Sequence, residues 1–401
     1  MAAARTIGDE ERRARLARRH GLAPEHRFDD VAQVAEAIVA LHATDPASVF
    51  LSARARIAAP SVAAIEAALY ERRTLVRLLG MRRTVFVVPA ALAGIVQASS
   101  TRALVPGERK RFIALLEESG VAGDGARWLD ETQAATYDAL VARGEATAAR
   151  LGEDVPALRA KTPVAQGKPY AAIQGVSSKV LFLLAAEGRI VRGRPLGSWT
   201  STLYRWAPVT TWLPGGIEGL DTDAAAAELL RRWLWAFGPG TLADMKWWTG
   251  WTMGLLKRAL AQLGTVEVAL AGAGGATGLV LAEDAEPVAA PGAPWVALLP
   301  ALDPAPMGWQ ERSWYLGKHR ASLFDYSGNI GPTVWCEGRI VGGWAQRKDT
   351  GEVVVRLLED IGAEAGHAIG AEAARLQEWI GDVRVTPRFR TPLERELSAP
   401  R

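Results

Sequence analysis

The 401-residue sequence contains one cysteine, Cys336, and five histidines. A single cysteine cannot form an internal disulfide, and no histidine or cysteine has the neighbours of a zinc site, so we predict no disulfide scaffold, no metal and no other cofactor. No apolar run approaches the roughly 20 residues that span a bilayer. The N-terminus also lacks the apolar core of a signal peptide. These absences favour a cytoplasmic protein with no membrane partner.

A strong net charge is lacking too, because the formal value is only +3. No Gly-x-Ser-x-Gly motif occurs, which excludes the simplest type of serine hydrolase. The arginines are nevertheless clustered, near the N-terminus and around a predicted hairpin: Arg5, Arg12, Arg13, Arg15, Arg18 and Arg19, then Arg72, Arg73, Arg77, Arg82 and Arg83. Such clusters can bind phosphates, although any one arginine can equally belong to a solvated helix face.

What the sequence does contain is one order of elements, repeated three times: an amphipathic helix, a short turn, two more helices and two short strands. The composition, 49% hydrophobic and 23% charged, is typical of a globular protein. A period of about 80 to 100 residues exceeds that of common solenoid repeats, so we interpret the units as serial winged-helix domains. They occupy residues 1–125, which include an N-terminal helical part, 126–215 and 216–290.

The first unit illustrates how these elements are recognised. Asp30 can cap a helix whose apolar residues recur at helical spacing, and Asp45 can cap a second helix with Pro46 in its first turn. Leu75–Leu79 and Thr84–Val88 are expected to form the two strands of a wing. The strands expected in the second and third units are Arg189–Arg194, Thr200–Trp206, Val266–Leu270 and Leu279–Ala282.

After Pro291 the pattern changes to short alternating segments, which indicates antiparallel strands. The expected strands are Trp295–Leu299, Thr333–Cys336, Arg339–Trp344 and Glu352–Leu357, followed by one long helix at Ala363–Trp379. We therefore predict an α+β fold in which tandem winged-helix domains precede a C-terminal antiparallel β-barrel-like domain at residues 291–401.

Two neighbouring segments carry a family resemblance: Leu41-His42-Ala43-Thr44-Asp45-Pro46 and Leu51-Ser52-Ala53-Arg54-Ala55-Arg56. They resemble the catalytic segment of the winged-helix DNA glycosylases of the AlkZ and YcaQ type. Leu299–Asp303, Leu323–Tyr326 and Gly338–Arg347 are similar to the closing domain of that family. The resemblance implies tandem winged helices, a C-terminal β-barrel and excision of alkylated purines, including bulky adducts and interstrand crosslinks. The implied partner is double-stranded DNA with alkylated bases.

The sequence departs from the family at the catalytic motif, which is Gln, an apolar residue, then Gln. His42 and Thr44 occupy the two glutamine positions, and Asp45 adds a carboxylate. A cationic alkylpurine leaves without protonation, so the remaining task is to stabilise the oxocarbenium-like sugar and to place or deprotonate a water. We assign the electrostatic and base role to Asp45, water positioning to Thr44, and water binding or orientation of Asp45 to His42. The alternative is that Asp45 only caps a helix and His42 is a core histidine.

The function predicted from these residues is a monofunctional DNA glycosylase that hydrolyses the N-glycosidic bond of N7-alkylguanine or N3-alkyladenine. No lysine lies near His42–Asp45, which disfavours Schiff-base lyase chemistry. We expect a monomer, since three winged helices in one chain can cradle a duplex. The alternatives are a noncatalytic winged-helix DNA-binding protein, such as a damage sensor or regulator, and an enzyme acting on another nucleoside or glycoside.

DNA contacts are expected from basic and aromatic side chains near the motif and the wings. The predicted phosphate-binding residues are Arg54, Arg56, Arg82, Arg83 and Arg205. Aromatic residues that could stack on bases, or instead pack in the core, are Trp199, Tyr204, Trp206, Trp247, Trp248 and Trp251.

Overall fold

The structure is a computed structural model that describes residues 5–164, 172–272 and 276–400. Short sheets and helices alternate along these ranges, so the predicted α+β class is confirmed. Within the described residues, no helix is both long and apolar enough to cross a membrane.

The N-terminal segment and the first unit contain three strands of a small sheet and the helices that cover it. Their elements are β1 (Thr6–Ile7), α1 (Asp9–Arg19), α2 (Val31–Ala37), β2 (Leu41–His42), α3 (Pro46–Arg54), α4 (Val62–Glu66), β3 (Leu75–Leu79) and β4 (Val85–Pro89). The strand order is β2-β4-β3, antiparallel throughout. Asp30 caps α2 and Asp45 caps α3, because each carboxylate accepts a backbone N–H from the first helical turn. Both predicted caps are therefore confirmed.

The second unit repeats this order and adds a hairpin between its second and third helices. The chain reaches it through α5 (Ala93–Val96) and α6 (Val105–Glu118), and its elements are α7 (Gly125–Arg143), β5 (Ala146–Thr147), α8 (Ala148–Asp154), β6 (Lys161–Val164), β7 (Ala172–Gly175), α9 (Ser177–Ala186), β8 (Ile190–Pro195) and β9 (Tyr204–Pro208). The strand order β5-β9-β8 matches that of the first unit. The β6–β7 hairpin was not predicted from the sequence.

The third unit comprises α10 (Thr222–Phe237), α11 (Leu242–Thr249), α12 (Met253–Leu260), β10 (Thr265–Leu270) and β11 (Thr277–Leu281). In the first two units a two-residue strand after the first helix pairs with the last strand. Here a single bridge between Gly240 and Leu279 takes that place. In addition, β1 pairs with β10 in parallel, so the N-terminal segment extends the sheet of the third unit.

The C-terminal region is an open sheet rather than a barrel. Its elements are β12 (Val296–Leu299), α13 (Ser313–Leu316), α14 (Arg320–Leu323), β13 (Thr333–Cys336), β14 (Arg339–Gln346), β15 (Val353–Leu357), α15 (Ala363–Ile380) and α16 (Pro392–Leu397). The strands pair in the order β12-β13-β14-β15, and β12 and β15 do not pair with each other among the described residues. Because α15 packs against both edge strands, a helix lies where a barrel would close. The predicted strands are confirmed, and the predicted barrel is corrected to an open sheet.

One large apolar core joins the first unit, the third unit and the C-terminal sheet, while much of the second unit has a core of its own. Helix α3 runs through the large core, and all nine of its residues are buried. Asp303 accepts hydrogen bonds from Ser52 of α3 at 2.7 Å and from Arg56 at 2.6 and 2.8 Å. The C-terminal end of α3, the helix that follows the unusual motif, is therefore held by a residue of the C-terminal region.

The arginines of the N-terminal cluster are largely internal. Arg15 and Arg19 both form ion pairs with Asp284, at 2.9 and 2.5 Å. Arg12 is buried, with its guanidinium 4.2 Å from the centre of the Trp314 ring. The expectation that this cluster binds phosphates is corrected for these residues, because they join α1 to the third unit and the C-terminal region.

Candidate functional site

The segment from His42 to Pro46 is fixed at both ends by regular structure. His42 lies in β2, opposite Phe86 of β4, and the N–H of Ala43 donates to the carbonyl of Val85 at 2.8 Å. Pro46 occupies the first position of α3, where the absence of an N–H has no cost. The chain thus turns from strand to helix in three residues, and this turn aims successive side chains in different directions.

A cleft of about 520 Å³ opens beside this turn. Its walls come from the first unit, from α9 and the wing of the second unit, and from three C-terminal segments, at Met307, Asn329 and Arg388. The polar side chains among its lining residues are His42, Thr44, Arg77, Arg82, Arg83, Thr84, Arg192, Asn329 and Arg388. None of the described residues that line the cleft is acidic. A cleft with five arginines and no carboxylate is suited to an anionic ligand.

His42 is the most deeply placed motif residue of the cleft wall, with 6% of its surface exposed. Burial, together with the positive charge of Arg82, lowers the pKa of His42 to about 3. The imidazole is therefore neutral near pH 7. Its Nδ1 atom is buried and has no hydrogen-bond partner among the described residues. A ring nitrogen without a hydrogen-bond partner in the protein has the capacity to bind a water or a substrate atom, but at this pKa it is too weak a base to keep a proton.

Asp45 faces away from the cleft. One carboxylate oxygen accepts the N–H of Ala47 at 3.1 Å, and the other accepts the backbone N–H of Arg388 at 3.0 Å. Burial raises the pKa of Asp45, and these two hydrogen bonds oppose that rise. The helix-cap interpretation of Asp45 is thus confirmed, and the carboxylate also anchors the C-terminal segment that carries Arg388.

The two predicted wing arginines do line the cleft. Arg82 and Arg83 both have positive φ, 53° and 60°, in the tight turn between β3 and β4. The Arg82 guanidinium lies 4.0 Å from the centre of the Trp247 ring, and Arg83 forms an ion pair with Glu108. Trp247 therefore orients a cationic side chain at the cleft.

The other three predicted DNA-binding arginines lie elsewhere. Arg56 is fully buried and paired with Asp303, and Arg54 is buried and paired with Glu372. Both predictions are corrected, because these guanidiniums form ion pairs with buried carboxylates. Glu372 and Asp303 are far away in the sequence, so the sequence alone did not show that they would be partners. Arg205 pairs with Glu145 at 3.0 Å and lines a separate surface depression. Its neighbour Trp206 lines the cleft instead, as the alternation of side chains along β9 requires.

Three arginines of the cleft, Arg77, Arg192 and Arg388, are not among the residues predicted individually to bind DNA, although Arg77 belongs to the arginine cluster of the first hairpin. Arg77 stands in the middle of β3, whose five residues are all buried, and a charge in such a strand is a sequence signal for a functional residue. Arg192 lies on the half-buried side of β8, where a charged side chain carries no such signal. Arg388 carried no such signal, because it reaches the cleft only through its backbone contact with Asp45. Of the six aromatic candidates, Trp206 lines the cleft and Trp248 and Trp251 pack in the large core.

Comparison with known proteins identifies the family. A model described as "DNA glycosylase AlkZ-like" matches residues 35–379, which include the motif and most of the cleft. The chain belongs to the AlkZ-like DNA glycosylase family. Family membership implies a DNA substrate. Arg388 and the helix that follows it lie beyond the matched range.

The structure also resembles that of Streptomyces sahachiroi DNA glycosylase AlkZ, with a TM-score of 0.72 and 22% sequence identity. The likeness covers 96% of this chain and 99% of that chain. At this identity it shows that the two proteins share a fold. A search of curated protein sequences gave no match.

Among the described residues, no three or more His, Cys, Asp or Glu side chains are grouped so that they could hold a metal ion.

Proposed function

We propose that this member of the AlkZ-like family is a monofunctional glycosylase that hydrolyses the N-glycosidic bond of cationic alkylpurines, N7-alkylguanine or N3-alkyladenine. The observation that carries the proposal is the free Nδ1 atom of the neutral His42, which lines the cleft together with Thr44. A DNA glycosylase needs a place to bind water beside the sugar, and these two residues occupy the motif positions where the resemblance puts it.

In this proposal His42 and Thr44 hold the attacking water. The neutral imidazole and the hydroxyl can each donate or accept one hydrogen bond, so together they orient the water without carrying charge. Asp45 lies behind them and supplies negative charge as the sugar becomes cationic. Asp45 thus keeps the electrostatic role in this proposal but not the role of base, since both of its oxygens already accept backbone N–H groups.

We further propose that the chain binds duplex DNA as a monomer, with the winged-helix units at 1–125, 126–215 and 216–290 and the region 291–401 enclosing one site. The cleft supports this arrangement because its lining residues come from the first unit, the second unit and the C-terminal region, and Trp247 of the third unit packs against Arg82 at its wall. Arginines such as Arg82 would contact phosphates, and those contacts give affinity with little dependence on sequence.

The deciding experiment measures release of the base itself. The purified protein is incubated in single turnover with a duplex that contains one N7-methylguanine, and the free base is quantified. His42→Leu, which removes both ring nitrogens at similar volume, serves as the inactive control. Base release by the wild type that falls strongly in His42→Leu supports the proposal, whereas no release from either N7- or N3-alkylpurine duplexes contradicts it. A crosslinked duplex in the same assay tests whether larger adducts are accepted.

One observation favours the noncatalytic alternative, a DNA-damage sensor. Both oxygens of Asp45 are already engaged by backbone N–H groups, which suits a purely structural carboxylate. A sensor would bind alkylated duplex more tightly than undamaged duplex and release no base. The same incubation, followed by a binding titration, therefore separates the two functions.

A further inference from the structure

Arg77 is a buried cation that forms no ion pair with any described residue. Its side chain is 3% exposed and lies in the cleft wall. Its Nε and Nη2 atoms are buried and have no hydrogen-bond partner among the described residues. The one hydrogen bond of the guanidinium runs from Nη1 to the hydroxyl of Tyr70, at 3.5 Å. Burying an unpaired guanidinium costs several kcal/mol, so its retention in a strand core calls for a ligand.

A second arginine stands beside it. The Tyr204 ring lies 4.6 Å from the Arg77 guanidinium and 5.6 Å from that of Arg192, so one aromatic side chain orients both cations. Arg192 also lies 5.2 Å from the Trp206 ring and forms no ion pair with a described residue. The Tyr204 hydroxyl is itself buried without a partner. Two arginines of the cleft wall thus contact the same ring, and neither forms an ion pair with a carboxylate among the described residues.

Burial and the positive charge of Arg77 lower the pKa of Arg192, and a bound anion would offset the repulsion between these two cations. Asp45 follows the cleft residue Thr44 in the sequence, but it does not neutralise the arginines. Both of its carboxylate oxygens accept backbone N–H groups. Guanidinium groups bind the oxygens of phosphate in bidentate fashion, and rings stacked on them fix the direction of the donors. In a DNA glycosylase family the anion of this geometry is a phosphodiester.

We propose that Arg77 and Arg192, oriented by Tyr204, form a buried site for a single phosphodiester of the target strand. This inference rests on the proposed function in one respect, that the ligand is DNA. The site also explains how a cleft of arginines can accept a cationic purine. Once a phosphate is bound, its negative charge lies among the guanidiniums and offsets their repulsion of the base and of the developing sugar cation.

The first test asks whether the Arg77 charge serves the fold or a ligand. Arg77→Met keeps the length and the apolar stem of the side chain but removes the charge. If the charge of Arg77 serves to bind an anion, the melting temperature of the variant equals or exceeds that of the wild type, because replacing an unpaired buried charge with an apolar group is neutral or stabilising. It should also lose at least tenfold in affinity for duplex DNA. A variant that melts well below the wild type and binds DNA normally would overturn the proposal.

The second test locates the phosphate. Duplexes in which one phosphate at a time is replaced by an uncharged methylphosphonate are titrated against the wild type and Arg77→Met. One position should weaken binding by the wild type about tenfold and leave binding by the variant within twofold, since the partner of that phosphate is already gone. Equal losses in both proteins at every position would show that Arg77 holds no phosphate. If Arg77→Met does not fold, the same methylphosphonate scan is carried out with Arg192→Met.

Two controls complete the design. Arg12→Met removes another buried arginine that lies over an aromatic ring, and it should show no coupling to any phosphate because Arg12 does not line the cleft. Inorganic phosphate alone should stabilise the wild type only weakly. If it stabilises strongly while the methylphosphonate scan shows no coupling, the site takes a free anion and the proposal fails. The scan needs no base release, so it can succeed or fail independently of the glycosylase activity.

Discussion

The carboxylate of Asp45 accepts the backbone N–H of Arg388 at 3.0 Å, a contact between residues 343 positions apart in the sequence. The other oxygen of the same carboxylate caps α3, the helix Pro46–Arg54. One side chain thus sets both the start of the motif helix and the position of an arginine that lines the cleft. A substitution at Asp45 is therefore expected to change electrostatics and architecture together.

The first prediction concerns Asp45→Asn. Asparagine keeps an oxygen that can cap α3, but it loses the charge, and its amide group cannot accept the N–H of Arg388 at the same time as it caps the helix. We expect base release to slow by about 100-fold, because a charged group near the developing cation is lost. Single-turnover excision of N7-methylguanine, measured beside a melting curve, provides the check.

Asp30→Asn is the matched control for this prediction. Asp30 caps α2 through hydrogen bonds to the N–H groups of Ala32 and Gln33, at 2.8 and 2.9 Å, and it is exposed. Its replacement should alter neither base release nor DNA binding. Excision by Asp45→Asn at the wild-type rate would show that the charge has no catalytic role. Parallel loss of stability, binding and activity would leave only the structural role.

A second prediction uses the family motif to test the role of His42. Because burial holds the imidazole neutral, glutamine can replace it as a neutral donor and acceptor. We expect His42→Gln to release base at a rate within about tenfold of the wild type, and His42→Leu to be slower by about 100-fold or more. If the two variants are equally impaired, hydrogen bonding by this side chain is not what the reaction needs.

A third prediction follows from the pKa of about 3 for His42. An unfolded chain protonates its histidines near pH 6.5, whereas folded His42 stays neutral down to about pH 3. The unfolded state therefore binds more protons between these values, and stability falls as the pH falls through this window. At pH 5 the contribution of His42 to this loss is about 2 kcal/mol.

Urea unfolding of the wild type and His42→Gln at pH 7.5 and pH 5 measures this contribution. The difference between the two free energies of unfolding should shift by about 2 kcal/mol in favour of the variant at the lower pH. His20, whose pKa is also lowered to about 3 by burial, is present in both proteins and cancels. An unchanged difference would mean that His42 titrates normally in the folded protein.

Local signals in the sequence were sufficient for the elements of the first unit. The caps at Asp30 and Asp45, the proline at the first position of α3 and the apolar strand Leu75–Leu79 each depend on neighbours within a few residues. Helix and strand formation at these points is decided by backbone hydrogen bonding and by burial periodicity, which a single sequence displays.

The cleft could not be assembled in the same way, because its charges depend on partners distant in the sequence. Arg54 and Arg56 have the same local sequence character as DNA-binding arginines, yet Glu372 and Asp303 neutralise them inside the protein. Arg77 has no such partner within the described part of the chain, and the same rule of charge compensation is the basis for proposing a ligand there. Which arginines are free is thus a property of the tertiary structure.

The last prediction contrasts Arg82 with Arg56. Arg82 lines the cleft on the Trp247 ring and forms no ion pair with a described residue, so Arg82→Ala should weaken duplex binding and reduce the dependence of log affinity on log salt by about one unit. Arg56→Ala instead leaves the buried carboxylate of Asp303 without its cation, at a cost of about 3 to 5 kcal/mol in stability. Its salt dependence, measured where the variant is folded, should match that of the wild type. A reduced salt slope in Arg56→Ala, or an unchanged one in Arg82→Ala, would place the DNA on a different face from the cleft.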